Sequence, residues 1–134
     1  MILKGMKVNG GKVEGEAVVS KKSFSFLGDF NPRTGRVQAP GSDVLGESLA
    51  GKIFIFTIGK GSTVGPTVAY GARRLGLAPA ALVCVEAEPV MAMVAIMNDI
   101  PMVHALERDP TDLIKTGDIV RVDGDAATVE IVGQ

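Results

Sequence analysis

The chain has 134 residues, with 14 Lys and Arg against 15 Asp and Glu and no basic or acidic block, which fits one domain and excludes nucleic acid or a membrane surface as the main partner. One cysteine, Cys84, and one histidine, His104, exclude an internal disulfide, a structural zinc site and a 4Fe–4S cluster held by this chain alone. No apolar run reaches the ~18 residues of a membrane span and the N-terminus lacks a signal-peptide layout, so the expected compartment is the cytoplasm.

In chain order, Lys12–Val19 alternates loosely, is rich in valine and predicts a strand. From Ser20 to Ser48 the chain reads as a long loop, punctuated by Gly28, Pro32, Gly35, Pro40, Gly41 and Gly46. Phe24, Phe26, Leu27 and Phe30 are buried-type residues, so the loop is expected to be ordered, with a short strand around Arg36–Gln38. Irregular stretches of this length inside a small domain are usually functional or disordered. Lys52–Ile58 is an unbroken apolar run suited to a strand covered on both faces. A helix to about Leu75 follows, with Pro66 in its first turn, Arg73 and Arg74 at its negative end and Gly76 as terminator. Ala80–Val85 predicts the next strand, and Cys84 within it reads as a buried, inert thiol. Glu88-Pro89 opens a helix through about Met97, whose methionines are expected in the core. Ile100–Val103 predicts a short strand and Pro110–Lys115 a short helix or turn. Asp118–Val122 and Ala126–Val132 predict a hairpin around Asp123-Gly124-Asp125.

This order predicts an α/β fold: a single β/β/α domain over residues 1–134, with a mixed sheet or partial barrel and two main helices. Six aromatic residues, five Phe and one Tyr, leave the core to Val, Ile, Leu, Ala and Met and leave little to stack on bases.

The most informative segment is Phe54-Ile55-Phe56-Thr57-Ile58-Gly59-Lys60-Gly61-Ser62-Thr63-Val64-Gly65-Pro66. An apolar run breaks at two glycines and a helix pattern begins, which puts Ser62 at or beside a helix N-terminus. Unpaired N–H groups and the helix dipole there suit an anion, or a serine oxygen that loses its proton. Lys60 is either a solvated cation or a partner for a carboxylate or phosphate, and Glu86 and Glu88 fit a strand end and a helix first turn.

Known motifs fit this segment poorly. A P-loop wants glycine where Phe54 stands and Ser or Thr where Gly61 stands. Gly59, Gly61 and Gly65 are spaced one residue away from the dinucleotide fingerprint, with Glu86 near the place of a ribose-binding acid. A serine hydrolase would need His104 as base, and the segment lacks the G-x-S-x-G elbow. The early loop, with Ser23, Ser25, Phe26, Gly28, Asp29, Pro32, Arg33 and Gly35, is either turn chemistry or a ligand-facing loop.

Ser23-Phe24-Ser25-Phe26-Leu27-Gly28-Asp29 and Asn31-Pro32-Arg33-Thr34-Gly35 resemble the early loop of the aconitase X small subunit, its swivel domain, which reads broadly S-x-W-G-G-x-D-P-x-T-G. Leu49-Ala50-Gly51-Lys52, Gly59-Lys60-Gly61-Ser62-Thr63-Val64-Gly65, Glu86-Ala87-Glu88-Pro89 and Asp99-Ile100-Pro101 extend the likeness from Gly15 to the end of the chain. Leu27 replaces the usual aromatic, Asp29 stands where a second glycine is common and Asn31 replaces aspartate.

The resemblance implies a hydro-lyase in which a separate large subunit holds the 4Fe–4S cluster and this chain completes the active site without binding metal. It implies that the cluster's open iron acts as Lewis acid on the departing hydroxyl. Ser62 would then take the proton from the carbon next to a carboxylate. Lys60, Gly61 and Thr63 around it, with Ser25, Gly28 and Asp29 from the early loop, are the expected contacts to an anionic substrate. Lys60 with Thr63-Val64-Gly65 looks most like the archaeal branch, which converts 5-phosphomevalonate to trans-anhydromevalonate 5-phosphate. The bacterial branch dehydrates cis-3-hydroxy-L-proline and more often has arginine at the lysine position. Thr116–Gly124 with Ala127–Ile131 also resembles the swivelling phosphohistidine domain, a non-catalytic phosphocarrier alternative; those domains place histidine at a helix start, where this chain has Glu88-Pro89.

Overall fold

The computed structural model describes every residue from Met1 to Gln134. The elements run β1 Ile2–Lys4, β2 Met6–Asn9, β3 Lys12–Val19, β4 Phe30–Asn31, β5 Arg36–Val37, β6 Ile53–Ile58, α1 Gly65–Arg74, β7 Ala81–Glu86, α2 Pro89–Met97, β8 Met102–His104, α3 Pro110–Leu113, β9 Ile119–Asp123 and β10 Thr128–Gly133. Eight strands form one mixed sheet in the order β1-β10-β9-β3-β6-β7-β8-β2. Strands β3, β6, β7 and β8 are parallel neighbours, and the remaining pairs are antiparallel.

The two outermost strands of that order, β1 and β2, are consecutive in the chain and separated only by Gly5. One continuous N-terminal segment therefore pairs with β10 through its first half and with β8 through its second, closing the sheet into a barrel. Closure removes the exposed edges that an open sheet would carry.

Alternation along the parallel strands makes two cores. Ala17, Ile53, Ile55, Ala81, Val83, Val103, Val120, Val122 and Val129 face the barrel interior. Val18, Phe54, Phe56, Leu82 and Cys84 face outward, under Ala69 and Ala72 of α1 and Met91, Val94 and Ala95 of α2. Phe24, Phe26 and Phe30 of the long loop join this outer core, with Phe24 edge-on to Phe54 at 4.7 Å between ring centroids. The loop is thus ordered by burial of its aromatics, as expected.

Helix ends obey the sequence signals. Pro66 lies in the first turn of α1, Arg73 and Arg74 in its last, and Gly76 follows with φ 74°. Before α2, the Glu88 carboxylate accepts from the Val90 and Met91 N–H groups at 3.0 and 2.6 Å.

Several expectations change. Met1–Asn9 carries no strand signal of its own, yet it forms both closing strands. The strand expected at Arg36–Gln38 is a two-residue piece paired with Phe30–Asn31, and the one at Ile100–Val103 begins at Met102. Leu27 is exposed, unlike its phenylalanine neighbours. Of the α2 methionines only Met91 is core, while Met93 and Met97 are 43% and 56% exposed because their side of the helix has nothing above it.

The base of the long loop is pinned by Asp43, which accepts from the Ser20 hydroxyl at 2.6 Å and the Lys21 N–H at 2.8 Å. Burial pushes the Asp43 carboxyl up, but bonds from the Ser20 hydroxyl and the Lys21 N–H outweigh it, and its pKa lies below the ordinary 3.8. A depressed folded value stabilises the fold above the unfolded pKa, and the contribution disappears as pH falls through the folded one. Amide exchange at Lys21, Lys22 and Val44 should therefore accelerate as pH drops below 3.8. In Asp43→Ala the acceleration, corrected for intrinsic exchange, should already be present at neutral pH.

Candidate active site

Strand β6 hands over to the glycine-rich segment through a bridge with the early loop. Phe24 N–H donates to the Ile58 carbonyl at 3.0 Å, Lys60 N–H donates to the Phe24 carbonyl at 2.9 Å, and Phe24 pairs with Gly59 in parallel. Side chains extend the same seam. Asp29 Oδ2 accepts from Ser25 N–H at 2.9 Å and pairs with Lys60 Nζ at 2.8 Å, and Ser25 Oγ donates to the Gly61 carbonyl at 3.3 Å. Four of the expected site residues, Ser25, Asp29, Lys60 and Gly61, are thus one bonded unit. The Asp29 side chain is only 14% exposed and that of Lys60 47%. The ion pair therefore joins a largely buried anion to a cation that still reaches solvent. Gly28 sits at the exposed turn before Asp29, its carbonyl accepting from Gln38 Nε2 at 3.1 Å.

Ser62 stands next to this unit in an unusual backbone conformation. Gly61 has φ 75° and Ser62 φ 150°. A side chain in that region costs on the order of 1–3 kcal/mol, and such strain gathers at functional sites. The turn holds it: Val64 N–H donates to Ser62 Oγ at 3.3 Å, and Gly65 N–H to the Ser62 carbonyl at 3.0 Å.

The expected helix-terminus site is shifted by a few residues. Val64 is the cap of α1, and the Thr67 and Val68 N–H groups are both taken by its carbonyl. Pro66 has no N–H to offer. The N–H groups without an acceptor are instead those of Gly61, Ser62 and Thr63, three in succession just before the helix. Consecutive free amides of this kind make an anion-binding concavity. Lys60 is bonded to Asp29 rather than to Ser62, so the donor at the Ser62 oxygen is the Val64 N–H.

Gly59 is required by a neighbour rather than by its own dihedrals. A Cβ there would run into Glu88 Oε1 and lie 3.1 Å from Met91 Cβ. The carboxylate that caps α2 is packed directly against the β6 exit.

Two hollows flank the segment. A cleft of about 220 Å³ is bordered by Ser20, Lys22, Ser23, Asp29, Ser42 and Lys60, over Phe24. An apolar groove of about 280 Å³ runs between the starts of α1 and α2, with Thr63, Pro66, Val90, Met93 and Met97 among its walls. Thr63, expected to contact substrate, is exposed and faces this groove. Lys22 and Ser42 were not singled out from sequence, because nothing local distinguishes a loop lysine or serine that folding brings beside Lys60.

The remaining reactive groups have structural partners. His104 ends β8, and its Nδ1 accepts at 3.1 Å from the N–H of Ala87, the residue before the Glu88 cap of α2. Cys84 is buried, and burial with the nearby Glu88 and Glu86 charges pushes its thiol up to about 12. No three His, Cys, Asp or Glu side chains converge in a way that could hold a metal ion. A protonated buried thiol and a histidine already accepting from the backbone do not fit the ligand set of an iron–sulfur cluster. No helix is long and apolar enough to cross a membrane.

The profile of the aconitase X swivel domain matches residues 2–131. The chain belongs to the aconitase X swivel-domain family. It is 49% identical over 132 residues, 98% of this chain and 97% of the relative, to the phosphomevalonate dehydratase small subunit of Thermococcus kodakarensis. It is 46% identical over 131 residues, 98% of this chain and 99% of the relative, to the protein of the same name in Methanocella arvoryzae. Among solved structures, the holo-form crystal structure of Thermococcus kodakaraensis aconitase X superposes with TM-score 0.93 at 48% identity, covering 98% of both chains.

Two substitutions test how this aconitase X swivel domain builds its site. Gly59→Ala should lower stability by about 1–3 kcal/mol, through overpacking against Glu88 and Met91, in urea titrations. Asp29→Ala removes a carboxylate that holds both Ser25 N–H and Lys60, and should cost about 1.5–3 kcal/mol in the same titrations. Wild-type midpoints for both would show that the seam does not hold the early loop.

Proposed function

We propose that this chain is the small subunit of a heteromeric iron–sulfur hydro-lyase that dehydrates (R)-5-phosphomevalonate to trans-anhydromevalonate 5-phosphate. The observation that carries the reading is near-full-length identity of 49% and 46% to two chains named phosphomevalonate dehydratase small subunit. Activity requires the large subunit, because the chain's own donors do not fit a cluster. When bound to that partner, a 4Fe–4S cluster supplies the Lewis acid for the departing hydroxyl.

In this reading the free N–H groups of Gly61, Ser62 and Thr63 receive the substrate carboxylate. Ser62 Oγ then takes the proton from the carbon next to it. The bond from that carbon becomes the double bond as the hydroxyl leaves the neighbouring carbon, and proton and hydroxide together make the water released. Giving its proton to the departing hydroxide returns Ser62 to the alkoxide. Serine is a poor base in water, so its alkoxide needs stabilisation. The Val64 N–H and the positive end of α1 supply it from one side. The ammonium of Lys60, fixed on Asp29, adds positive charge two residues away in the chain.

The phosphocarrier alternative loses its motivation, since His104 lies in β8 and Glu88 occupies the helix start. Dehydration of cis-3-hydroxy-L-proline would draw on the same serine, but the two relatives described above carry the phosphomevalonate dehydratase name, which favours the first reading.

In the complex with the large subunit, Ser62→Ala should reduce kcat at least about 100-fold with unchanged melting and assembly. Near-normal turnover would remove Ser62 from the role of proton acceptor.

A further inference from the structure

Helix α2 is apolar on every side. No charged residue stands between its Glu88 cap and Asp99, and its buried and exposed positions form two separate stripes. Met91, Val94 and Ala95 face the core, whereas Pro89, Met93, Ile96 and Met97 recur at helical spacing on the other side and are exposed. A surface helix ordinarily carries charges on that second stripe, and a helix that is apolar all round is a buried one. Its nine residues are too few to span a membrane, and it lacks the basic face of a helix that lies on lipid. The stripe continues into the groove between the helix starts, where Met93 and Met97 share the walls with Thr63 and Thr67, and Pro66 and Val90 complete them. Val64, beside Thr63, is exposed as well. With it the stripe exposes roughly 400 Å², within the size range of patches that mark interaction sites.

We propose that this stripe and its groove are where the large subunit docks, through a segment of aliphatic or aromatic side chains. The inference rests on the dehydratase reading above and adds which face of the chain the partner covers. Two observations favour the large subunit over a second copy. The first is continuity with the site: Thr63 lines the groove, and its N–H is the last of the three free amides around Ser62. A partner that reaches Ser62 to complete the reaction arrives at the edge of the groove as it does so. The second is area. A two-fold pair of such patches buries about 800 Å² in all, the scale of a crystal contact and short of the ~1,000 Å² of a specific interface. Covering the rim together with the stripe brings the buried surface of this chain toward the ~800 Å² that each partner gives to a standard interface. The composition suits the core of such an interface, which is rich in methionine and poor in charge, and unbranched thioethers adapt to an irregular partner surface.

The test is assembly, read without turnover. In sedimentation of the full chain with its large subunit, Met93→Glu combined with Met97→Glu should weaken association at least about 100-fold. The isolated variant should melt as the wild type does, because both side chains already reach water. Ile2→Glu, at an equally exposed apolar position on β1, should associate normally. Wild-type affinity in the double variant overturns the proposal, and so does equal weakening by Ile2→Glu. The unaltered protein gives a second readout, methionine oxidation by dilute peroxide followed by mass spectrometry. Met93 and Met97 should oxidise readily in the isolated chain, as exposed Met6 does, and about tenfold more slowly or less in the complex. Unchanged oxidation of both on assembly overturns the docking surface while leaving the dehydratase reading intact. A wild-type chain that does not associate with the large subunit brings down that reading and the docking surface with it. Dimerisation of the isolated chain that Met93→Glu abolishes would assign the stripe to a second copy and overturn the proposal.

Discussion

The site is built around one close approach: a side chain on Gly59 would run into the Glu88 carboxylate and into Met91. Glu88 is committed as the cap of α2, accepting from Val90 and Met91. The same carboxylate lies against Gly59, the residue just after β6, and leaves no space for a side chain there. Helix α2, strand β6 and the glycine-rich segment are therefore held at one point, which fixes where Lys60, Gly61 and Ser62 emerge. From there the segment can afford strain at Ser62, because its flanks are pinned by Phe24, Ser25 and Asp29 on one side and by the start of α1 on the other.

Location follows from topology. The Gly59–Ser62 segment, the Ala87–Glu88 corner and Ser20 all lie just beyond the C-terminal ends of parallel strands β6, β7 and β3. Ligand sites of α/β sheets gather at that rim, since strand ends there open into loops and helix starts rather than into packed core. The early loop folds over the same rim because its phenylalanines are buried in the outer core. Its polar residues are left facing Lys60. Burial of Phe24, Phe26 and Phe30 is thus what brings Asp29 and Ser25 to the site.

Much of this was legible in the sequence, and the parts that were not share a cause. The run Lys52–Ile58, Pro66, Gly76 and Glu88-Pro89 carry their signals within a few residues, and each element appears where those signals put it. Met1–Asn9 carries no such signal. Its strands are three and four residues long, too short for alternation to register, and they exist only because β10 and β8 offer edges more than 90 residues away in the chain. The α2 methionines failed for a related reason: an apolar helix reads as core whether or not anything covers its far side. Ser62 was recognisable from glycines and an apolar run, yet the free amides sit ahead of the helix, in backbone geometry that no residue pattern specified. Lys22 and Ser42 become visible only once the loop closes on Lys60.

Cys84 is kept out of the chemistry of the rim by the elements that build it. Its thiol faces the outer core on β7, with the charges of Glu86 and Glu88 close by. Deprotonation would put an anion in an apolar layer beside two acids, so the thiol stays protonated far above neutral pH. A metal ligand must be a thiolate, and this one is held out of that state by the elements that build the site. The Glu88 that positions the glycine segment is also a group that suppresses the cysteine. Burial and the acids that serve the fold thus keep this thiol protonated, while the donors on the rim, the N–H groups before α1 and the Lys60 ammonium, suit anions.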